Sequence, residues 1–149
     1  MKRIFRGKRI NNGEWVYGYL FLTSFNSATR IGLTHCIQVI NDDGVSYKTF
    51  EVNPDTVGQF TGLKDKKGVD VYEWDVVRLN TKDNVFISIT LSNQAGKAIK
   101  PPKTMNSVVE FENGSFGFLW MYGYEGLEIS FEKTEVIGNK FDNPELINN

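Results

Sequence analysis

Three groupings in this sequence have residue types that could do chemistry. The first is His35-Cys36, a nucleophile beside a base. Neighbours in a strand point to opposite faces, so the imidazole cannot take the thiol proton, and a structural role is preferred. The second is Glu73 and Asp75, two residues apart. In extended backbone they would share a face, as a carboxylate pair for acid–base work or a divalent cation requires. They lie beside a turn, however, where Asp commonly accepts hydrogen bonds from backbone amides, and that reading is preferred. The third is a set of cations. Five of them, Arg3, Arg6, Lys8 and Arg9 among them, fall within the first nine residues, and Lys97, Lys100 and Lys103 follow much later. Together with aromatic strands they would suit single-stranded nucleic acid, whose bases stack on rings while cations track the phosphates.

Other chemistries lack their residues. Ala95-Gly96-Lys97 has no upstream Gly at phosphate-loop spacing, and Ala98 stands where Ser or Thr would hold magnesium. There is no Gly-x-Ser-x-Gly. One Cys and one His cannot form an intrachain disulfide or a cysteine-built zinc site, and no spacing suggests another transition-metal site. No catalytic residue, cofactor or metal is assigned, and the chain is read as non-enzymatic.

These residues need elements to hold them. The 149 residues include 11 Phe, 6 Tyr and 3 Trp, with 14 Gly and only 4 Pro, a composition of strands joined by tight turns. Trp15, Tyr17, Tyr19 and Phe21 alternate onto one face of a strand running from Glu14 to Leu22, and Val16, Gly18 and Leu20 take the other. Phe116, Phe118, Trp120, Tyr122 and Tyr124 repeat the period. Turns are read at Asn11-Asn12-Gly13, Asn41-Asp42-Asp43-Gly44, Asp65-Lys66-Lys67-Gly68 and Asn113-Gly114. Further strands are read at Ile31–Ile40, Val45–Val52, Val57–Phe60, Val69–Leu79, Val85–Leu91, Ser107–Glu112 and Leu127–Phe131. Pro54-Asp55-Thr56 suits a single helical turn. Thr23–Arg30 reads as a polar loop, and Thr61-Gly62-Leu63 as a break. Ser92–Asn106, with Pro101-Pro102 and three lysines, reads as a flexible loop, functional or linking two parts.

The fold class is therefore mainly β, with little helix: short antiparallel strands forming barrel-like, SH3-like or similar subdomains. One domain over 1–149 is expected, as a single body or as two β subdomains with the loop at 92–106. The formal net charge of -1 supplies no field that would gather nucleic acid or anionic membrane. From Ser107 to Asn149 there are eight acids against two lysines, so a basic start and an acidic end also suit head-to-tail self-association. No apolar run has membrane-spanning length and no secretory signal follows the first cations, so a soluble, intracellular protein is expected.

Several stretches carry a family pattern. They are Phe5-Arg6-Gly7-Lys8-Arg9 with Asn12-Gly13-Glu14-Trp15-Val16, the run from Val52 to Lys66 with Gly68, Tyr72-Glu73 with Asp75-Val76-Val77, Val109-Glu110-Phe111, Glu135-Val136-Ile137-Gly138-Asn139, and Asn143-Pro144-Glu145-Leu146. In these the chain resembles the YopX family of phage and prophage proteins. One departure stands out: the family pattern is similar to Glu-Gly-Asp where this chain has Glu73-Trp74-Asp75. The turn there must tolerate a large side chain, and an exposed Trp74 would be a contact residue. The resemblance implies a mainly β, barrel-like and homo-oligomeric protein of phage or prophage origin in a bacterial host cytoplasm. It implies no reaction and carries over no catalytic residue. The expectation is an accessory protein acting through protein contacts, with itself or with a host or phage protein. The alternative is a nucleic-acid-binding module using the N-terminal and loop cations.

Overall fold

In a computed structural model of the chain, the structure describes residues 4–27, 30–80, 103–112, 114–120, 123–126 and 133–147. The fold is mainly β, in two antiparallel sheets, and no closed barrel forms among the described residues. The chain divides into two compact units, Met1–Phe60 and Thr61–Asn149.

In the first unit, β1 (Phe5–Lys8), β2 (Trp15–Ser27), β3 (Arg30–Ile40) and β4 (Tyr47–Glu51) pair in sequence order. β5 (Gly58–Lys64) joins the other edge of β1, through Phe5 opposite Gln59 and Arg6 opposite Gly58. The turns between β1 and β2 and between β3 and β4 lie where Asn-Gly and Asp-Gly chemistry places them. Asp43 fixes the second by accepting from the backbone N–H groups of Val45 and Ser46. Pro54–Thr56 forms one 3₁₀ turn, capped by the Asn53 side chain accepting from the Asp55 N–H. A single bridge joins Arg9 to Val52, beyond the ends of β1 and β4. The core of this unit sets fully buried Ile37 and Val52 against Gly7, where a Cβ would meet both side chains at 3.2–3.3 Å.

Two sequence expectations are corrected here. Thr23–Ser27 and Arg30, read as loop, are strand, and residues 28 and 29 lie outside the described residues. β2 and β3 continue as a long hairpin from Tyr19 opposite Gln38 to Ser27 opposite Arg30. Small polar side chains misled the reading, because a ladder draws its hydrogen bonds from the backbone. Nor does Thr61-Gly62-Leu63 break the chain: β5 runs through it, with Gly62 at φ 89°.

In the second unit, the later residues of β5 lead through the Asp65–Gly68 turn to β6 (Asp70–Tyr72). A sheet of β7 (Asp75–Asn80), β8 (Thr104–Glu112), β9 (Ser115–Trp120), β10 (Gly123–Gly126) and β11 (Thr134–Asn139) follows, in the spatial order β10-β9-β8-β7-β11. A second 3₁₀ turn, Pro144–Leu146, closes the chain. The core is Val71, Val77, Leu79 and Val109, with Met105, Phe116 and Val136 packed against it. Thr104–Asn106, read as loop, belongs to β8. The strands read at Val85–Leu91 and Leu127–Phe131, and residues 92–102 of the expected loop, lie outside the described residues.

Candidate functional site

The tight turn between β6 and β7 holds the sequence departure, and its backbone explains why a glycine would suit it. Trp74 has φ 71°, left-handed backbone that an L residue enters at a cost of about 1–2 kcal/mol. It is the one non-glycine residue with positive φ among those described. Neighbouring strands hold it there. The Trp74 N–H donates to the Val109 carbonyl at 2.7 Å, and its own carbonyl accepts from the Lys140 N–H at 3.0 Å. The Lys140 ammonium lies 3.1 Å from the centre of the indole ring and 5.1 Å from that of Phe141. Burial holds the Lys140 pKa below its ordinary value, against the opposing pull of Glu110 and Glu73. Trp74 is thus half-buried beneath a lysine of its own chain, an aromatic surface already carrying a cation.

The carboxylates flanking Trp74 are carried by a turn and the start of β7 rather than by one continuous strand. Asp75 is 2% exposed, and its Oδ2 accepts from the Tyr72 N–H at 2.8 Å, closing the turn. Glu73 lies within the turn itself, half-buried. No group of three or more His, Cys, Asp or Glu side chains that could hold a metal occurs among the described residues. Cys36 is buried, and burial first, then the Glu51 charge, pushes its pKa up, which keeps the thiol protonated. His35 and Cys36 face Leu22 and Phe21 respectively across the β2–β3 ladder, on opposite faces as strand geometry demands.

The N-terminal cations are folded onto rings. Arg6 is 5% exposed, with its guanidinium carbon 4.8 Å from the Trp15 ring centre, and the Lys8 ammonium lies 5.5 Å from the same ring. The Arg9 guanidinium lies 4.4 Å from the Phe50 ring centre and pairs with Glu14 at 3.0 Å. Strand pairing brings these groups together: Lys8 is opposite Trp15 and Arg6 opposite Tyr17. Lys103 is exposed just before β8, and Arg3, Lys97 and Lys100 lie outside the described residues. The structure therefore gathers Arg6, Lys8 and Arg9 in one unit around aromatic rings and places Trp74 in the other.

Sequence reasoning missed two partners. Lys140 lies 66 positions from Trp74, and no local pattern marks it. Asp65 was read as a turn residue only. Its Oδ1 accepts from Lys67 and Val69 at 2.8 and 2.9 Å, while its Oδ2 accepts from Val136 in β11 at 3.0 Å. An Asp opening a Lys-Lys-Gly turn was the available signal, but the β11 contact is a long-range one.

The same chain segments carry the family pattern. The family model described as YopX protein matches residues 4–148. The chain belongs to the YopX protein family. The Glu73-Trp74-Asp75 turn is then a YopX turn with tryptophan at its left-handed position, held there by Val109 and Lys140. Among solved structures, the chain is similar to the crystal structure of protein EF1440 from Enterococcus faecalis, at 20% identity, with 99% of each chain covered and a TM-score of 0.47. No curated protein matches the sequence. Among the described residues, no helix is long and apolar enough to cross a membrane.

Proposed function

We propose that this YopX protein is a phage or prophage accessory protein that works without catalysis, through contacts with other protein chains in a bacterial host cytoplasm. Self-association is among those contacts, and a host or phage protein is the other class of partner. One observation carries the reading. Leu22 and Leu33 share one face of the β2–β3 hairpin, diagonal across the ladder, at 53% and 69% exposure, where water gains nothing from them and a protein surface would. The Asp75 carboxylate, committed to a backbone N–H, supports a structural role for the one carboxylate pair that suggested chemistry. The Arg9–Val52 bridge supports a barrel-like, SH3-like description of the first unit.

Nucleic-acid binding has weaker support, because Arg6 is buried and the Trp15 ring already faces Arg6 and Lys8. Light scattering over a concentration series tests the preferred reading: a mass above one chain that rises with concentration is expected, and a strict monomer sinks the self-association part. A gel shift at low salt that disappears steeply as salt is raised would instead move the assignment to nucleic acid.

A further inference from the structure

β7 carries apolar side chains on both of its faces. Val77 and Leu79 point into the core beside Val109, so Val76 and its ladder neighbour Val108 belong to the opposite face of the sheet. Both are nonetheless buried, Val76 completely. The element that crosses them is the end of the chain. β11 stops at Asn139, whose side-chain oxygen accepts from the Phe141 and Asp142 N–H groups, each at 3.0 Å, and whose carbonyl accepts from the Asn143 N–H at 2.9 Å. That turn reverses the chain and leads into Pro144–Leu146. Two contacts fix its course. Gly138 pairs with Val76, and a Cβ there would run into the Asn143 side-chain amide and lie 3.0 Å from the Leu146 Cδ1. On β8, the Asn106 Nδ2 donates to the Leu146 carbonyl at 2.9 Å, while its Oδ1 accepts from the Arg78 Nε at 3.3 Å. A segment that touches β11 at Gly138 and β8 at Asn106 has to cross β7, which lies between them, on the Val76 face.

The crossing segment and its seat are held differently. Asp142, Pro144, Glu145 and Ile147 are exposed, and Asn143 and Leu146 are half-buried. Pro144 has no N–H to give to a ladder, so the segment lies over the sheet without becoming one of its strands. Segments with exposed backbone and little buried apolar area open at a fraction of the global unfolding free energy. The seat, in contrast, is made by three paired strands: apolar at Val76 and Val108, open at Gly138 for want of a Cβ, and supplied with an amide donor at Asn106. We propose that Asn143–Leu146 is a strap closed over a peptide groove of its own chain. It opens ahead of the rest of the unit, and the groove it vacates takes a short segment with a branched apolar side chain over Val76 and a carbonyl for Asn106. The Asn143-Pro144-Glu145-Leu146 pattern thereby has a role, as the resident occupant of that groove. This site is separate from the β2–β3 hairpin surface, and it is filled while the chain is closed.

The test uses the full chain as wild type, Leu146→Asp and Gly138→Ala, each checked for folding by far-UV circular dichroism. The two variants release the strap by different means: Leu146→Asp empties the groove and leaves it intact, whereas Gly138→Ala puts a methyl group where the strap lies. Hydrogen exchange reads the strap through the Leu146 and Ile147 N–H groups, which donate to Asn143 and Pro144. The probe for the groove is a fluorophore-labelled hexapeptide, Asp-Asn-Pro-Glu-Leu-Ile, followed by anisotropy up to about 1 mM, the order of the effective concentration that a short tether supplies. The expected result is exchange at Leu146 and Ile147 about tenfold faster in both variants, with β7 and β8 amides unchanged. The peptide is expected to bind Leu146→Asp, to bind wild type about tenfold more weakly because the strap competes, and not to bind Gly138→Ala. A folded Leu146→Asp that leaves the peptide free overturns the groove, and so does equal binding to all three proteins. Strap amides that exchange no faster in folded Gly138→Ala than in wild type overturn the crossing. Where Leu146→Asp does not fold, Leu146→Ala takes its place, and loss of folding in both overturns a strap that opens on its own.

Discussion

At the scale of the residue, Trp74 shows how a local penalty survives when the surroundings fix it. The left-handed φ of 71° disfavours any side chain, and the largest one occupies it. Two backbone hydrogen bonds set that φ, and Lys140 covers the ring. Replacing Trp74 by Ala and by Gly removes the same ring contacts, but only glycine enters this backbone freely. Trp74→Gly is therefore expected to be more stable than Trp74→Ala by about 1 kcal/mol, read from urea midpoints. Equal midpoints would mean that the turn relaxes out of the left-handed region in the alanine variant. The sequence raised the right question at this position, because the family pattern has glycine there. It could not supply Lys140, which reaches Trp74 through the pairing of β7 with β11.

At the scale of the element, the β5–β6 turn is joined to β11 by the Asp65 carboxylate, by the Lys66 N–H on the Thr134 carbonyl, and by the ion pairs of Lys66 and Lys67 with Glu135. Burial works to raise the Asp65 pKa, but backbone N–H donors from Val136, Val69 and Lys67 outweigh it, and the net direction is down. Asp65→Ala leaves these donors without their acceptor in a buried place, at an expected cost of about 2–3 kcal/mol in chemical denaturation. Beside it, hydrogen bonds from Lys66 and then Lys67 lower the Glu135 pKa from 4.5 to about 2. The sign follows from linkage: a carboxylate with a lowered folded-state pKa contributes stability above its unfolded value and loses it as pH falls through the folded value. Stability is expected to decline between pH 4.5 and about 2, and the decline should be shallower in Glu135→Gln. Midpoints measured at pH 7, 4 and 2.5 check this, and parallel declines in the two proteins would remove Glu135 from the account. The pair is exposed enough that added salt should weaken the difference.

At the scale of the whole molecule, the described chain divides into two compact units at Phe60–Thr61. Such a boundary depends on which strands contact each other, which composition does not report. If the chain self-associates as proposed, its melting temperature should rise with protein concentration, because association draws only on the folded state. Scanning calorimetry over a hundredfold concentration range checks this, and a constant midpoint counts against assembly.

The sequence by itself determined the class of fold, most turns and the family. Alternating rings require strands, and Asn-Gly, Asp-Gly and Asn-Pro require turns, whatever the rest of the chain does. It also separated His35 from Cys36, since that depends only on strand geometry. Tertiary structure decided the rest. The cations at Arg6, Lys8 and Arg9 read as a set that could track phosphates, yet pairing of β1 with β2 and the return of β4 place rings against them. The Thr23–Ser27 continuation of β2 was hidden because most of its residues are small and polar while its ladder hydrogen bonds are made by backbone. Long-range contacts of this kind depend on register and on what each side chain meets, and neither is written in the neighbouring residues.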